Sequence, residues 1–120
     1  MERLVIEITH APYGKENAFT GLLIAKAWAT AGHKVIVALH NDGVYAAKKG
    51  QDDAIKEVGM PSTGEQIAQI IAAGGRVLAD QTCMDVRGLD PGMLIKGVEA
   101  SDGDAMVDLV YQQGEGVLTF

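Results

Sequence analysis

The sequence predicts an α/β fold, a three-layer sandwich with a mostly parallel sheet of about five strands and helices on both faces. Short runs rich in Val, Ile and Leu alternate along the chain with longer segments that carry apolar residues at helical spacing. This alternation is typical of βαβ units, whose strands lie parallel beneath covering helices. With 120 residues, 48% of them apolar, the chain suffices for one core, so we predict a single domain over residues 1–120.

Two strands and an intervening helix are predicted in the first half of the chain. The first strand ends at a turn-forming segment that contains Pro12 and Gly14, and Gly32 stops the helix. In order, the predicted elements are a strand at 4–8, a helix at 16–31, a strand at 35–39 and a short helical piece at 44–48, and the stretch 49–56 is predicted to be partly loop. The apolar stripe of the helix is predicted at Phe19, Leu22, Leu23, Lys26 and Ala27.

A capping box opens the helix that precedes the third strand. Two frames fit, Ser62-x-x-Glu65 and Thr63-x-x-Gln66, because either pair can satisfy backbone N–H groups at a helix start. That helix runs through Ile67, Ile70 and Ile71 and ends at Gly74-Gly75. After it we predict a strand at 76–81, a helical turn at 93–95, a weak strand at 97–100, a last helix and a strand at 116–120. The last helix is opened by Ser101-x-x-Asp104 and bears Met106, Leu109 and Val110.

Charge and composition exclude several classes of partner. The net charge of -6 and a pI near 4.9 argue against electrostatic binding to nucleic acid or to an anionic membrane, both of which need a basic surface. The first eight residues lack a secretory pattern, and the richest apolar run, at 22–31, is too short to span a bilayer. A single cysteine cannot form an internal disulfide. We therefore expect a soluble, cytoplasmic protein.

The chemistry is predicted at the carboxyl ends of the strands, where parallel sheets bind ligands. Cys83 follows the third strand, and a helix starting there would favour its thiolate through unpaired backbone N–H groups. Arg87, four residues later, would share a helical face with the thiol, whereas Asp80 and Asp85 oppose a thiolate. The alternative is an inert cysteine, since a free cysteine is usually a small buried apolar side chain.

Other candidate residues lie at the same predicted edge. Gly88 is a candidate for a positive φ, for a close approach of the backbone to a substrate, or for both roles at once. His10 and His40 are candidate proton carriers, but with Asp42 they match no recognised metal-ligand spacing, so no metal is predicted. No cofactor is predicted either, because the sequence lacks phosphate-binding glycine motifs, and it also lacks the serine elbow of hydrolases.

Three segments carry a resemblance to a known family. They are the first strand with its Ala-rich helix ending in Gly32-His33-Lys34-Val35, the strand ending in Asn41-Asp42-Gly43-Val44, and the motif Cys83-x-x-x-Arg87-Gly88-Leu89. Over nearly the whole chain the pattern resembles the DsrE family, which includes DsrE/DsrF-type sulfur oxidation proteins and TusD-type sulfur relay proteins. The third segment is the most specific.

This resemblance implies a small DsrE-like sandwich that self-associates as a trimer or hexamer, with sulfur donor and acceptor proteins or small sulfur compounds as partners. Many relatives carry sulfur as a persulfide on a cysteine at the position of Cys83. Many also have a second cysteine three residues earlier, where this chain has Asp80, and some lack the cysteine and are structural. Any mechanism that needs an internal cysteine pair is therefore in question.

Two principal hypotheses follow from the sequence. In the first, the protein is a cytoplasmic sulfur carrier or sulfurtransferase-like subunit, which holds sulfane sulfur on Cys83 as a persulfide or thiosulfonate and passes it to a partner thiol. Arg87 and Gly88 would bind the anionic sulfur group, and His10 or Asp42 would line the pocket. In the second, the protein is an oligomeric binding or scaffold module with an inert cysteine. A third possibility is small-ligand binding at the strand ends without chemistry.

Overall fold

Five parallel strands form the central sheet of the computed structural model, which describes residues 3–108, 112 and 114–120. The order across the sheet is β4-β3-β2-β1-β5, and each neighbouring pair is parallel. The predicted α/β fold and its sheet of about five strands are confirmed. The strands are β1 (Arg3–Ile8), β2 (Lys34–Leu39), β3 (Arg76–Asp80), β4 (Glu99–Ser101) and β5 (Gly116–Thr119).

Helices cover both faces of the sheet. The two long helices, α1 and α2, pack side by side on one face, and the short α4 contacts β3 from the other. The α-helices are α1 (Asn17–Thr30), α2 (Thr63–Ala72), α3 (Gln81–Val86) and α4 (Gly103–Met106), and three 3₁₀ helices span Asn41–Ala47, Asp53–Val58 and Pro91–Met93. No helix in the described part of the chain is long and apolar enough to cross a membrane.

Alternation along the strands divides the core into two clusters. One contains Ile6, Val37 and Ala79 with the inner faces of α1 and α2. The other lies on the opposite face and comprises Val5, Ile36, Ala38, Leu78 and Met106. Because both faces of the central strands are buried, their sequences read as continuous apolar runs, which is why these strands could be predicted.

The buried stripe of α1 differs from the predicted one. Its fully buried or nearly buried residues are Ala18, Gly21, Leu22, Ala25 and Ala29, whereas Leu23 is 42% exposed. The helix is apolar around most of its circumference, so spacing alone fits more than one face. Small side chains select the face that packs on the sheet, because they allow closer packing.

Capping side chains set the helix starts, and they correct several predicted boundaries. In α2 the Ser62 frame is the one used: Ser62 Oγ accepts from Glu65 N at 3.2 Å. The last helix starts at Gly103 behind the N-cap Asp102, whose carboxylate accepts from Ala105 N at 2.9 Å, so the prediction of Ser101 as its cap was wrong. Leu109 and Val110 lie outside the described residues.

Other boundaries shift by one or a few residues. The predicted strand at 97–100 is Glu99–Ser101, and the third strand ends at Asp80, because Asp80 caps α3. The turn predicted at 93–95 is the 3₁₀ helix Pro91–Met93, where Asp90 is the N-cap. The stretch 49–56 was predicted as partly loop, and within it begins a further 3₁₀ helix, Asp53–Val58.

Gly43 brings the 3₁₀ helix Asn41–Ala47 against the end of β1. A Cβ atom at this position would clash with the carbonyl oxygen of Ile8. The helix lies against the carboxyl end of β1 and starts at Asn41, three residues earlier than predicted. It carries Asn41 and Asp42 to that edge of the sheet.

Candidate functional site

The ends of β2 and β3 meet at Cys83. β2 is followed by His40 and then by the 3₁₀ helix that begins at Asn41, while β3 runs directly into α3, with Cys83 in its first turn. Because β2 and β3 are paired in parallel, both ends lie at the same edge of the sheet. The sequence prediction that chemistry-bearing residues converge at this edge therefore holds for these two strands.

A backbone N–H group points at the sulfur. Asn41 N donates to Cys83 Sγ at 3.1 Å, and Asn41 Oδ1 lies 3.9 Å from the same sulfur. Asn41 has a φ of 53°, in the left-handed region, and among the described residues no other non-glycine residue has a positive φ. Asn tolerates this conformation better than most residues. An N–H donor at this distance stabilises a thiolate more than a neutral thiol.

The start of α3 is capped, which differs from the expectation of unpaired N–H groups around the thiol. Asp80 Oδ1 accepts from Cys83 N at 3.1 Å. The hydrogen bond to the sulfur is thus supplied by the neighbouring strand end and not by the helix that carries Cys83. Cys83 itself is half-buried, and its side chain packs against the larger core cluster.

Arg87 contacts Cys83 at its carbonyl group. Its Nη1 donates to Cys83 O at 3.0 Å, and its Nε donates to Asp42 Oδ1 at 2.9 Å. The predicted spacing does bring Arg87 to the cysteine, but its hydrogen bonds go to a carbonyl and a carboxylate, not to the sulfur. Arg87 therefore links α3 to the 3₁₀ helix that carries Asn41.

Gly88 ends α3 with a Schellman motif. Its φ is 69°, its N–H bonds to Asp85 O at 3.2 Å, and Leu89 N bonds to Met84 O at 3.0 Å. A Cβ atom at Gly88 would meet nothing within 4 Å, so of the two predicted roles the positive φ is the one that the backbone requires.

His10 lies apart from Cys83. Its Nδ1 is 3.4 Å from Thr9 Oγ1, and within the described residues its side chain makes no hydrogen bond with the cysteine, Asn41 or Arg87. The structure therefore brings together Cys83, Arg87, Gly88 and Asp42 from the predicted site, but not His10.

The sequence interpretation did not predict that four polar side chains form a row along the carboxyl ends of the strands. They are Thr119, Glu7, His40 and Asp80. His40 Nδ1 lies 3.0 Å from Asp80 Oδ2, and His40 Nε2 lies 3.9 Å from Glu7 Oε2. Thr119 Oγ1 donates to Glu7 Oε1 at 2.8 Å. The row crosses β5, β1, β2 and β3. The register could have indicated the central pair, because Leu39 is paired with Ala79 and the next residues are His40 and Asp80.

Asp80 bonds to both strand ends, through His40 and through the backbone of Cys83. Burial raises the pKa of its carboxyl group, but hydrogen bonds from the Cys83 N–H and from His40, the charge of His40 and a hydrogen bond from the Cys83 side chain outweigh burial and hold the pKa below its ordinary value. Asp80 is therefore an ionised carboxylate at neutral pH.

The described residues contain no group of three or more His, Cys, Asp or Glu side chains arranged to hold a metal ion. One groove of about 1030 Å³ is lined by residues 12–17, Phe19, Ile55, Val58 and Met60, and Cys83 does not line it. The cysteine lies at the edge of the sheet and is half-buried.

The comparisons with known proteins agree with this fold. The sequence matches the family model of the DsrE/DsrF-like family over residues 2–120. The chain belongs to the DsrE/DsrF-like family. At the level of the family, this membership indicates sulfur relay as the class of activity.

Relatives of this DsrE/DsrF-like chain cover almost its whole length. An uncharacterised protein of Methanopyrus kandleri is 35% identical over 117 residues, which is 98% of this chain and 93% of the relative. An uncharacterised protein of Methanocaldococcus jannaschii is 31% identical over 118 residues, covering 98% of this chain and 99% of the relative.

Solved structures of the same fold are also found. The ychN protein from E. coli has a TM-score of 0.82 and 27% identity, with all of both chains covered. A protein of unknown function from Methanobacterium thermoautotrophicum has a TM-score of 0.77 and 14% identity, again over 100% of both chains, and it supports the fold alone.

Proposed function

We propose that this DsrE/DsrF-like protein is a sulfur carrier, in which the Cys83 thiolate accepts a sulfane sulfur, holds it as a persulfide and passes it to a partner thiol. The observation that carries this proposal is the Asn41 N–H, 3.1 Å from Cys83 Sγ. The thiolate is the nucleophilic form of cysteine, and a fixed N–H donor stabilises it without a conformational change. An inert packing cysteine needs no such donor.

Each step of the proposed cycle exchanges one sulfur–sulfur bond for another. In loading, the Cys83 thiolate attacks the outer sulfur of a donor persulfide, the new bond forms at Sγ, and the donor leaves as a thiolate. In delivery, an acceptor thiolate attacks the outer sulfur and Cys83 leaves as a thiolate. The transferred sulfur keeps its oxidation state, so the cycle consumes no oxidant or reductant.

Delivery requires a thiol from another molecule. Cys83 is the only cysteine of the sequence, and the position three residues earlier is Asp80, which caps α3. An internal disulfide therefore cannot release the sulfur. The half-buried sulfur at the sheet edge must be reached by donor and acceptor thiols in turn. Arg87 and Asp42 flank it and are the side chains that such partners would meet.

Self-association is part of the proposal. β5 is an edge strand of the described sheet, and its residues Val117 and Leu118 are 46% and 45% exposed. Val107, after α4, is 49% exposed. Exposed apolar side chains on an unpaired edge favour contact with another chain. Light scattering on wild type and on Val117→Lys tests this. We expect an oligomer that the substitution weakens, and a monomeric wild type would contradict it.

The carrier proposal is tested by exposing the native protein to polysulfide or thiosulfate and measuring its intact mass with and without reductant. We expect wild type to gain sulfur that reductant removes, and we expect Cys83→Ser to gain none. The alternative, a scaffold with an inert cysteine, is supported by the packing of Cys83 against the core cluster. It predicts no adduct on the folded protein, and maleimide labelling only after unfolding.

A further inference from the structure

The hydrogen bond to Cys83 Sγ depends on how two strand ends are held together. Asn41, which donates it, belongs to the end of β2, while Cys83 follows β3. Within either segment alone nothing fixes the 3.1 Å separation of Asn41 N and Cys83 Sγ. A shift of one strand end by an ångström would remove the hydrogen bond, because N–H donors weaken steeply with distance and angle.

One carboxylate joins the two ends. Asp80 Oδ2 lies 3.0 Å from Nδ1 of His40, the residue before Asn41, and Asp80 Oδ1 accepts from Cys83 N at 3.1 Å. The two bonds use different oxygens of the same side chain, so they are made simultaneously. We call this pair of bonds the strand-end clamp. Together with the bond from Asn41 N to Cys83 Sγ, the strand-end clamp connects the two strand ends in a closed ring of contacts.

The His40 side of the strand-end clamp also contacts the next strand, β1. Glu7 of β1 faces Nε2 of His40 at 3.9 Å, and Thr119 of β5 donates to Glu7 at 2.8 Å. The side chains of His40 and Asp80 are each only 17% exposed. Ion pairs at this depth are less screened by solvent than surface pairs. The imidazole is thus held between carboxylates from two neighbouring strands.

An ionised carboxylate only accepts hydrogen bonds, so Nδ1 of His40 must carry the proton in its bond to Asp80. We propose that His40 is a positioning residue for Cys83: by donating from Nδ1 to Asp80, it holds the Asn41 N–H against the sulfur. This inference rests on the proposed function for its purpose, but not for its test. His40 itself makes no described hydrogen bond to Sγ and acts through Asp80 and Asn41.

Two substitutions of His40 separate this role from a general structural one. His40→Asn places an amide donor near the position of Nδ1, so it can still bond to Asp80. His40→Gln places its amide near the position of Nε2, towards Glu7, and leaves Asp80 without its partner. A third substitution, His40→Ala, provides an independent check, because it removes the Nδ1 donor to Asp80 and keeps the Asp80 carboxylate and its bond from Cys83 N.

The experiment measures the rate of iodoacetamide alkylation of the folded protein and the thiolate absorbance as a function of pH. We expect His40→Gln and His40→Ala to alkylate about fivefold more slowly at neutral pH, the effect of losing one net hydrogen bond to the thiolate. Their thiolate titration should move to higher pH, and His40→Asn should stay within about twofold of wild type. Ile67→Val, a core substitution remote from the clamp, controls for lost stability and should alkylate like wild type.

Wild-type alkylation by a folded His40→Gln variant would overturn the proposal, and so would a His40→Asn variant as slow as His40→Gln. Should His40→Gln fail to fold, His40→Ala decides by the same readouts. The result is distinct from that of the sulfur-carrier test. A protein that never takes up sulfur, but whose alkylation follows the clamp, would contradict the proposed function and leave the positioning role intact.

Discussion

Two polar pairs join neighbouring strands on the same face of the sheet, at opposite ends of β3. At its amino end, Arg76 makes a bidentate bond to Glu99, with Nε to Oε2 at 3.0 Å and Nη2 to Oε1 at 2.8 Å. At its carboxyl end, His40 and Asp80 share one bond of 3.0 Å. The Arg76 pair has the better geometry, but its side chains are 43% and 47% exposed, against 17% for each partner in the other pair.

From this difference we expect the connections of a pair to matter more for thiol chemistry than its bond lengths. Arg76 and Glu99 bond to each other and lie in solvent, where screening reduces the free energy of an ion pair. His40 and Asp80 are half-buried and continue into the backbone of Cys83 and the residue that donates to its sulfur. We therefore expect substitutions at the carboxyl end to change thiol chemistry, and substitutions at the amino end to change little.

Gly43→Ala should have the largest effect, because it displaces the 3₁₀ helix that supplies Asn41. Its Cβ would clash with Ile8 O, so the helix must move or the chain must strain. We expect a loss of about 3 kcal/mol in the free energy of unfolding, measured with urea, together with slower alkylation of Cys83. Gly103→Ala is the matched control, since a Cβ there meets nothing within 4 Å. Equal stability of the two variants would contradict this expectation.

Asp80→Ala should have the next largest effect. It removes the cap of α3 and leaves His40 without a carboxylate at Nδ1. We expect a loss of about 2 kcal/mol in the free energy of unfolding, from one cap and one half-buried partner. Asp80→Asn should lose less, because it keeps the cap. Denaturant unfolding of both variants checks the order, and an equal loss in both would assign the whole effect to the ion pair.

The pH dependence of stability sharpens this prediction. The folded-state pKa of Asp80 lies below the ordinary value of 3.8, so its contribution is complete above that value and is lost as the pH falls through the folded-state pKa. The difference in unfolding free energy between wild type and Asp80→Asn should therefore shrink as the pH falls in the acid range. A difference that grows as the pH falls would show the opposite sign of linkage.

Glu99→Ala should have the smallest effect. Its hydrogen bond from Arg76, the main cause, lowers the pKa of Glu99 against the effect of burial, but the pair is nearly half exposed. We expect a loss below about 1 kcal/mol in the free energy of unfolding, reduced further by salt, and no change in Cys83 alkylation. Slower alkylation in this variant would mean that the amino end of β3 also controls the thiol.

The sequence predicts the strands well because both faces of the sheet are buried and the strands are almost uninterrupted apolar runs. It predicts the element ends less well. Asp80, Asp90 and Asp102 each have an extended backbone conformation and accept a hydrogen bond from a backbone N–H, and local patterns did not identify them as the caps. Which residue caps a helix depends on where the preceding strand or turn ends.

Part of the site also follows from spacing. Arg87 reaches Cys83 as helical spacing predicts, but spacing does not reveal that Asp42 competes for the guanidinium group. The pairing of His40 with Asp80 requires knowing that β2 and β3 are neighbours and in which register. Contacts between residues forty positions apart cannot be derived from one sequence by periodicity, and the donor to the sulfur is such a contact.

The carrier role of Cys83 is tested most directly by sulfur transfer from the folded protein. Wild type is treated with polysulfide, freed of excess donor, and given a small acceptor thiol, and intact mass is followed in both steps beside Cys83→Ser and urea-unfolded wild type. We predict that folded wild type gains sulfur at Cys83 faster than the unfolded chain and returns to its original mass as the acceptor becomes a persulfide. Sulfur uptake by the unfolded chain alone would contradict the account.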